Sequence, residues 1–237
     1  MTIAATISET SRGCYLVDMD ATSPGWSQEF LLRSDAHHDN AHTNHRLEAI
    51  HLEEALDRLL MSPGNHEGSI LKRHETDLTE RTAERLRSAG SPVIRGTYSG
   101  FVRFSANVDG DRTLSRVMHY HHGHGGGGLM THGVLNTRRK QSFLPDADII
   151  WNGHTHDSWS VRLSKARLTS RGTVRLDDVH HVSTPGYKDE FSPMDGWHVE
   201  RGGPPKPIGA AWLRLSIEHL RKPVNHRRLK IEIREAT

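Results

Sequence analysis

Between Asn44 and Asn65 the chain has room for one helix and little else, and that shortage constrains the fold more than any other feature. Leu47, Ile50, Leu52, Ala55, Leu56, Leu59 and Leu60 recur at helical spacing. Thr43 or Asn44 is placed to cap the start of such a helix. Pro63-Gly64 breaks the pattern, and Gly64-Asn65-His66-Glu67 follows at once. A tight loop presenting an amide, an imidazole and a carboxylate usually ends a β-strand. Here the pattern predicts a helix running straight into it, with no strand between.

The rest of the chain reads as strands and helices mixed over the first two thirds, then mostly strands. Residues 1–27 are polar and predicted irregular, with weak strand signals around Cys14–Val17. Glu29–Arg33 is a short apolar run expected to be a buried strand. A second helix is expected from Ser69 to Ser88, with Gly90 as its stop. Gly96–Ser105 reads as a hairpin. Leu114–Tyr120 reads as a strand running into His-Tyr-His-His-Gly-His-Gly. Asn136–Gln141 is a polar stretch, and Asp148–Trp151 a short buried strand ending in Asn-Gly-His-Thr-His. From residue 157 to 237 strands and turns dominate. No internal repeat is present. The pattern predicts one α/β domain over 1–237, built on a sheet sandwich.

Composition removes several classes. A third of the residues are hydrophobic and a quarter charged, ordinary for a soluble globular chain. The net charge of +2, without long basic or acidic runs, gives no push toward nucleic acid. No apolar run approaches the ~18 residues a membrane span needs. No basic segment followed by an apolar one opens the chain, so no signal peptide is expected. The single cysteine, Cys14, allows no internal disulfide, and a reducing, cytoplasmic compartment is the simplest expectation. The unusual number is 19 histidines. Histidine is the commonest metal-ligating side chain and titrates near neutral pH.

Four clusters fall where strands end or helices begin: Asp35-Ala36-His37, Gly64-Asn65-His66-Glu67, the group His119 to His124, and Gly153-His154-Thr155-His156. Residues i and i+2 of an extended chain point the same way, so His154 and His156 are expected to reach adjacent positions. Imidazole, carboxylate and amide oxygen suit Mn, Fe or Zn, and the lack of thiolates argues against a cysteine-type structural zinc site. Arg138, Arg139 and Lys140 could contact a phosphate, but an exposed basic turn is the simpler expectation. Gly125–Gly128 lacks the Gly-Lys-Ser/Thr of a phosphate-binding loop. Trp151, Trp159, Trp197 and Trp212 are expected to be core or sheet-face residues.

In this order the clusters resemble the calcineurin-like metallophosphoesterase family, over about Leu31 to His156. Thr-Pro-Gly-Tyr-Lys-Asp-Glu-Phe and Gly-Trp-His-Val-Glu-Arg-Gly-Gly-Pro-Pro-Lys-Pro look like its phage and bacterial branch. The resemblance implies a four-layer αββα fold, a β-sandwich flanked by helices. It also implies divalent metal ions, Mn, Fe or Zn, at one or two per chain. Asp35, His37 and His156 match the ligands of one ion, and Asn65, His122 and His154 those of the second. His66 matches the histidine that protonates the leaving group. His119, His121 and His124 compete with His122 for its role; His122 is preferred because it directly precedes Gly123, as in the family's His-Gly. The implied substrate is a phosphorylated compound of unspecified class.

One family motif is missing. A Gly-Asp-x-x-Asp turn, whose first Asp bridges the two metals, belongs between the first two clusters. From His37 to Asn65 there are 28 positions, mostly filled by the expected helix, whereas a βαβ crossover takes ~30 or more. Central strands are thus expected to be missing, leaving a sheet edge able to pair with another chain. Two dications about 3.5 Å apart repel by roughly 19 kcal/mol at an effective dielectric of 20, a cost the bridging carboxylate normally offsets. The expectation is poor two-metal occupancy and reduced hydrolysis. The alternative is an inactive family member or truncated product acting as a binding or interaction protein. A metallo-β-lactamase-like enzyme ranks last, since no Asp follows the histidine-rich loop in the His-x-His-x-Asp-His pattern.

Overall fold

The computed structural model describes residues 5–34, 43–54, 60–110, 112–126, 128, 130–189, 191–192, 194–220 and 226–236. In chain order the elements begin with β1 (Ala5–Ser11), β2 (Cys14–Asp20), β3 (Ser27–Leu32), α1 (His45–Glu54) and β4 (Leu60–Met61). Then come α2 (Asn65–His74), α3 (Leu78–Ser88), β5 (Ile94–Arg95), β6 (Ser99–Asn107), β7 (Thr113–His121) and α4 (Val134–Lys140). The chain finishes with β8 (Ile149–Asn152), β9 (Trp159–Leu168), β10 (Val174–Ser183), α5 (Trp197–Glu200), β11 (Ala210–Leu220) and β12 (His226–Ala236).

The fold is mixed α/β. Seven strands form a large sheet in the order β1-β2-β6-β7-β8-β10-β9, and three form a smaller one, β12-β11-β3. The two share the main core. Val17 and Met19 of β2, Val102 and Phe104 of β6, Met118 of β7, Ile149 of β8 and Val182 of β10 meet Leu32, Leu213, Leu215 and Leu229 of the small sheet. Period-2 alternation explains the layering: Ile149 faces this core, whereas Ile150 faces a second cluster with Leu144, Ala147 and Val179 on the other side of the sheet. Ile149 and Leu213 are fully buried, and truncating either to Ala should cost about 2–5 kcal/mol.

Strand direction decides where the functional segments meet. β7, β8 and β10 run parallel, with His121 opposite Asn152 and Ser183 opposite Asn152. Their carboxyl ends therefore open at one edge of the sheet, the usual place for ligands in sheets with parallel strands. The end of β3 reaches the same place: Ser34 Oγ lies 3.0 Å from Thr184 Oγ1, and Thr184 N–H donates to the carbonyl of Asn152 at 3.1 Å.

Several expectations are corrected. The segment expected to be irregular over 1–27 holds an antiparallel hairpin, β1–β2, because Tyr15, Val17 and Met19 alternate inward. The helix expected to run to Leu60 does not. Its described part ends at Glu54, and Leu60–Met61 is a strand paired in parallel with Ile94–Arg95. A short strand therefore does lead into Gly64-Asn65-His66-Glu67. The buried face of α1 also differs from its apolar pattern. Glu48 and His51 are buried, Glu48 pairing with Arg33 and His51 Nδ1 lying 2.9 Å from the Tyr187 hydroxyl, while Ile50 is exposed. The single helix expected over 69–88 is two helices, since Asp77 caps a new one by accepting from Glu80 N–H at 2.9 Å. Gly96–Ser105 is not a hairpin. Ser99–Asn107 is one continuous strand, and the hairpin is β6–β7. No helix among the described residues is long and apolar enough to cross a membrane.

Candidate functional site

α2 brings the second cluster to the strand ends. Gly64 N–H donates to Glu67 Oε2 at 2.9 Å, so the carboxylate of this turn serves as a helix cap. Asn65 and His66 open the helix and are exposed. Gly64 is required by crowding: a Cβ there would stand 2.7 Å from Cε1 of His122. With no side chain in the way, α2 closes on the end of β7 and Asn65 Oδ1 comes to 2.8 Å from Nε2 of His122.

The ends of β7 and β8 are equally close. Gly123 has φ +115, and a Cβ on it would lie 2.5 Å from the Gly153 carbonyl and 2.6 Å from Cβ of His154. Gly153 N–H donates to the His122 carbonyl at 2.9 Å. The His122 and His154 rings consequently stand 5.2 Å apart. Asn65, His122 and His154, from three separate segments, thus share one locus. Tyr98, which the sequence did not single out, borders it: its hydroxyl donates to the Gly123 carbonyl at 3.1 Å, and its ring meets those of His121 and His122 edge-on.

The competing histidines occupy other positions. His119 is buried on β7, its Nε2 3.1 Å from Ser99 Oγ. Desolvation, with the charge of Lys140, pushes its imidazole down to about 4. His121 Nδ1 accepts from Gly123 N–H at 2.8 Å, and burial with the nearby Lys140 charge likewise pushes it down to about 4. His124 is exposed, against the His121 ring.

His154 and His156 are not on extended backbone as expected; both are left-handed, at φ 72 and 55. Their segment turns immediately after β8 instead of continuing it. Asp157 anchors this turn, and no sequence signal marked it. It is buried, takes a hydrogen bond from Lys206 Nζ at 2.7 Å, and lies 3.3 Å from Nδ1 of His132. Arg138–Lys140 closes a helix on which both arginines are exposed but Lys140 is buried, against the expected basic turn.

Asp35 and His37 lie outside the described residues. Among the described residues no three His, Cys, Asp or Glu side chains are grouped to hold a metal ion. The donor set at the strand ends still suits one: an amide oxygen and an imidazole nitrogen face each other at ligand-to-ligand separation, with a second imidazole alongside. No family model matches the chain, no curated protein matches it, and no solved structure matches it.

Proposed function

We propose that the chain is a metallophosphoesterase-type hydrolase, its two packed sheets standing as the sandwich of a four-layer αββα fold and its site lying at the ends of β7, β8 and β10. The observation that carries this reading is the meeting of Asn65, His122 and His154, which come from three of the four ordered clusters. In this reading Asn65, His122 and His154 hold one divalent ion, Mn, Fe or Zn, and Asp35, His37 and His156 hold the other. When bound, such ions supply a hydroxide nucleophile and neutralise charge on the phosphoryl group. His66, exposed in the first turn of α2 next to Asn65, is the proton donor to the leaving oxygen. The N-terminal end of α2 adds a partial positive charge where the phosphate would sit.

A second reading, a non-catalytic member that binds without turnover, is favoured by the missing bridging aspartate. An aryl phosphate ester assayed after chelation and again with added Mn separates the two. Metal-dependent release, abolished in His66→Ala, supports hydrolysis. No release from protein with a native circular dichroism spectrum favours the binding role.

A further inference from the structure

Lys140 closes α4, and its residue is only 7% exposed. Its ammonium group donates to Asn152 Oδ1, and Asn152 Nδ2 in turn donates to Thr137 Oγ1 at 3.3 Å. No carboxylate among the described residues pairs with it. A buried ammonium normally needs an anionic partner, since removing it from water costs several kcal/mol. The final carbonyls of α4 offset part of this. An amide oxygen alone leaves most of the positive charge uncompensated.

Lys140 lines a small crevice of about 30 Å³, open on one side to solvent, whose polar groups come from Asn136, Thr137, Asn152, Thr155 and Ser183. Of its other lining residues, Gly123 follows His122 and Gly153 precedes His154, so the crevice adjoins the two histidine-bearing turns. A fixed positive charge, amide and hydroxyl groups, and a water-accessible opening together suit an oxyanion.

We propose that Lys140 forms the cationic floor of an anion subsite that takes a second, non-transferred phosphate or carboxylate group of the substrate. The phosphoesterase reading supplies the word substrate; the subsite itself rests on the crevice. Burial pushes the Lys140 amine down to about 8, and an anion held against it would raise it again.

The test uses the full chain in chelator, where no metal contributes. Isothermal titration with inorganic phosphate, and separately with acetate, should show saturable binding that Lys140→Met weakens at least tenfold and Lys140→Arg partly restores. The arm that binds identifies the preferred anion. On the wild-type chain, phosphate or acetate should protect Lys140 from acylation by acetic anhydride, read by mass spectrometry, which answers the question if the Met variant does not fold. Equal binding by wild type and Lys140→Met, or unchanged acylation at saturating phosphate and acetate, overturns the subsite. With Mn restored, Lys140→Met should raise KM for a carboxylated aryl phosphate at least tenfold and leave that for the same ester without the carboxyl group unchanged. Anion binding without metal-dependent release from either ester would overturn the phosphoesterase reading and leave the subsite standing.

Discussion

His122 folds over Gly64 so closely that a methyl group on residue 64 would press to 2.7 Å from its ring, and this contact lets Asn65 reach the ring's other nitrogen. Gly64→Ala should therefore push α2 away from β7. A loss of about 1–3 kcal/mol is expected in urea denaturation, as for other overpacked sites. Metal affinity should fall alongside. Unchanged stability and unchanged Mn binding would mean that the helix start and β7 are not in contact.

Removing His122 should do more to metal binding than removing any other histidine of its loop. His122→Ala is expected to weaken Mn binding by tenfold or more in calorimetry, and His124→Ala to leave it nearly unchanged. Elemental analysis of the wild type should return fewer than two tightly held ions per chain, since the sequence has no Gly-Asp-x-x-Asp turn to supply a bridging carboxylate. Two firmly bound ions would contradict this.

The turn carrying His154 and His156 depends on Asp157. Removing one member of a buried ion pair strands the other, at a cost of about 3–5 kcal/mol. Asp157→Ala is expected near the low end, because Lys206 is partly exposed. The double variant with Lys206→Met should recover part of the loss. A double variant no better than the single one would show that the pair is not coupled.

Acid should destabilise the chain before it reaches ordinary carboxylate titration. His119 and His180 are pushed down to about 4, chiefly by desolvation; Lys140 adds to the effect on His119, and Asp178 opposes it on His180. Both imidazoles stay neutral in the folded chain while the unfolded chain takes up protons near 6.5. Stability is thus fully present above about 6.5 and is lost as pH falls from there toward 4. The urea midpoint should drop between pH 7.5 and pH 5, and His180→Gln should flatten the slope. A level midpoint across that range would remove the argument.

The sandwich was legible where apolar residues alternate or run together, as in Phe30–Leu32 and Ile149–Trp151. The β1–β2 hairpin was equally written in Tyr15, Val17 and Met19, but polar neighbours such as Asp18 and Asp20 masked it. Leu59 and Leu60 continued a helical period although Leu60 pairs with Ile94, a partner 34 positions away that local spacing cannot reveal. The histidine clusters were visible as composition at turns. Their meeting was expected only through the family resemblance, because local spacing does not show that β7, β8 and β10 run parallel. Lys140 read as part of an exposed basic turn and nothing marked Asp157, and only tertiary packing buries them.

Residues Leu60–Met61 and Ile94–Arg95 hydrogen-bond to each other and, among the described residues, join neither larger sheet. The arm between them, with α2 and α3, is therefore held to the body by side-chain packing, Leu60 and Ile94 against the main core and Asn65 against His122, and not by sheet hydrogen bonds to the larger sheets. Its amides should trade protons with solvent well before those of β7 and β8. One half of the constellation is carried by a two-strand pair with its helices and the other by the large sheet, so whatever occupies the gap would also staple those two parts together.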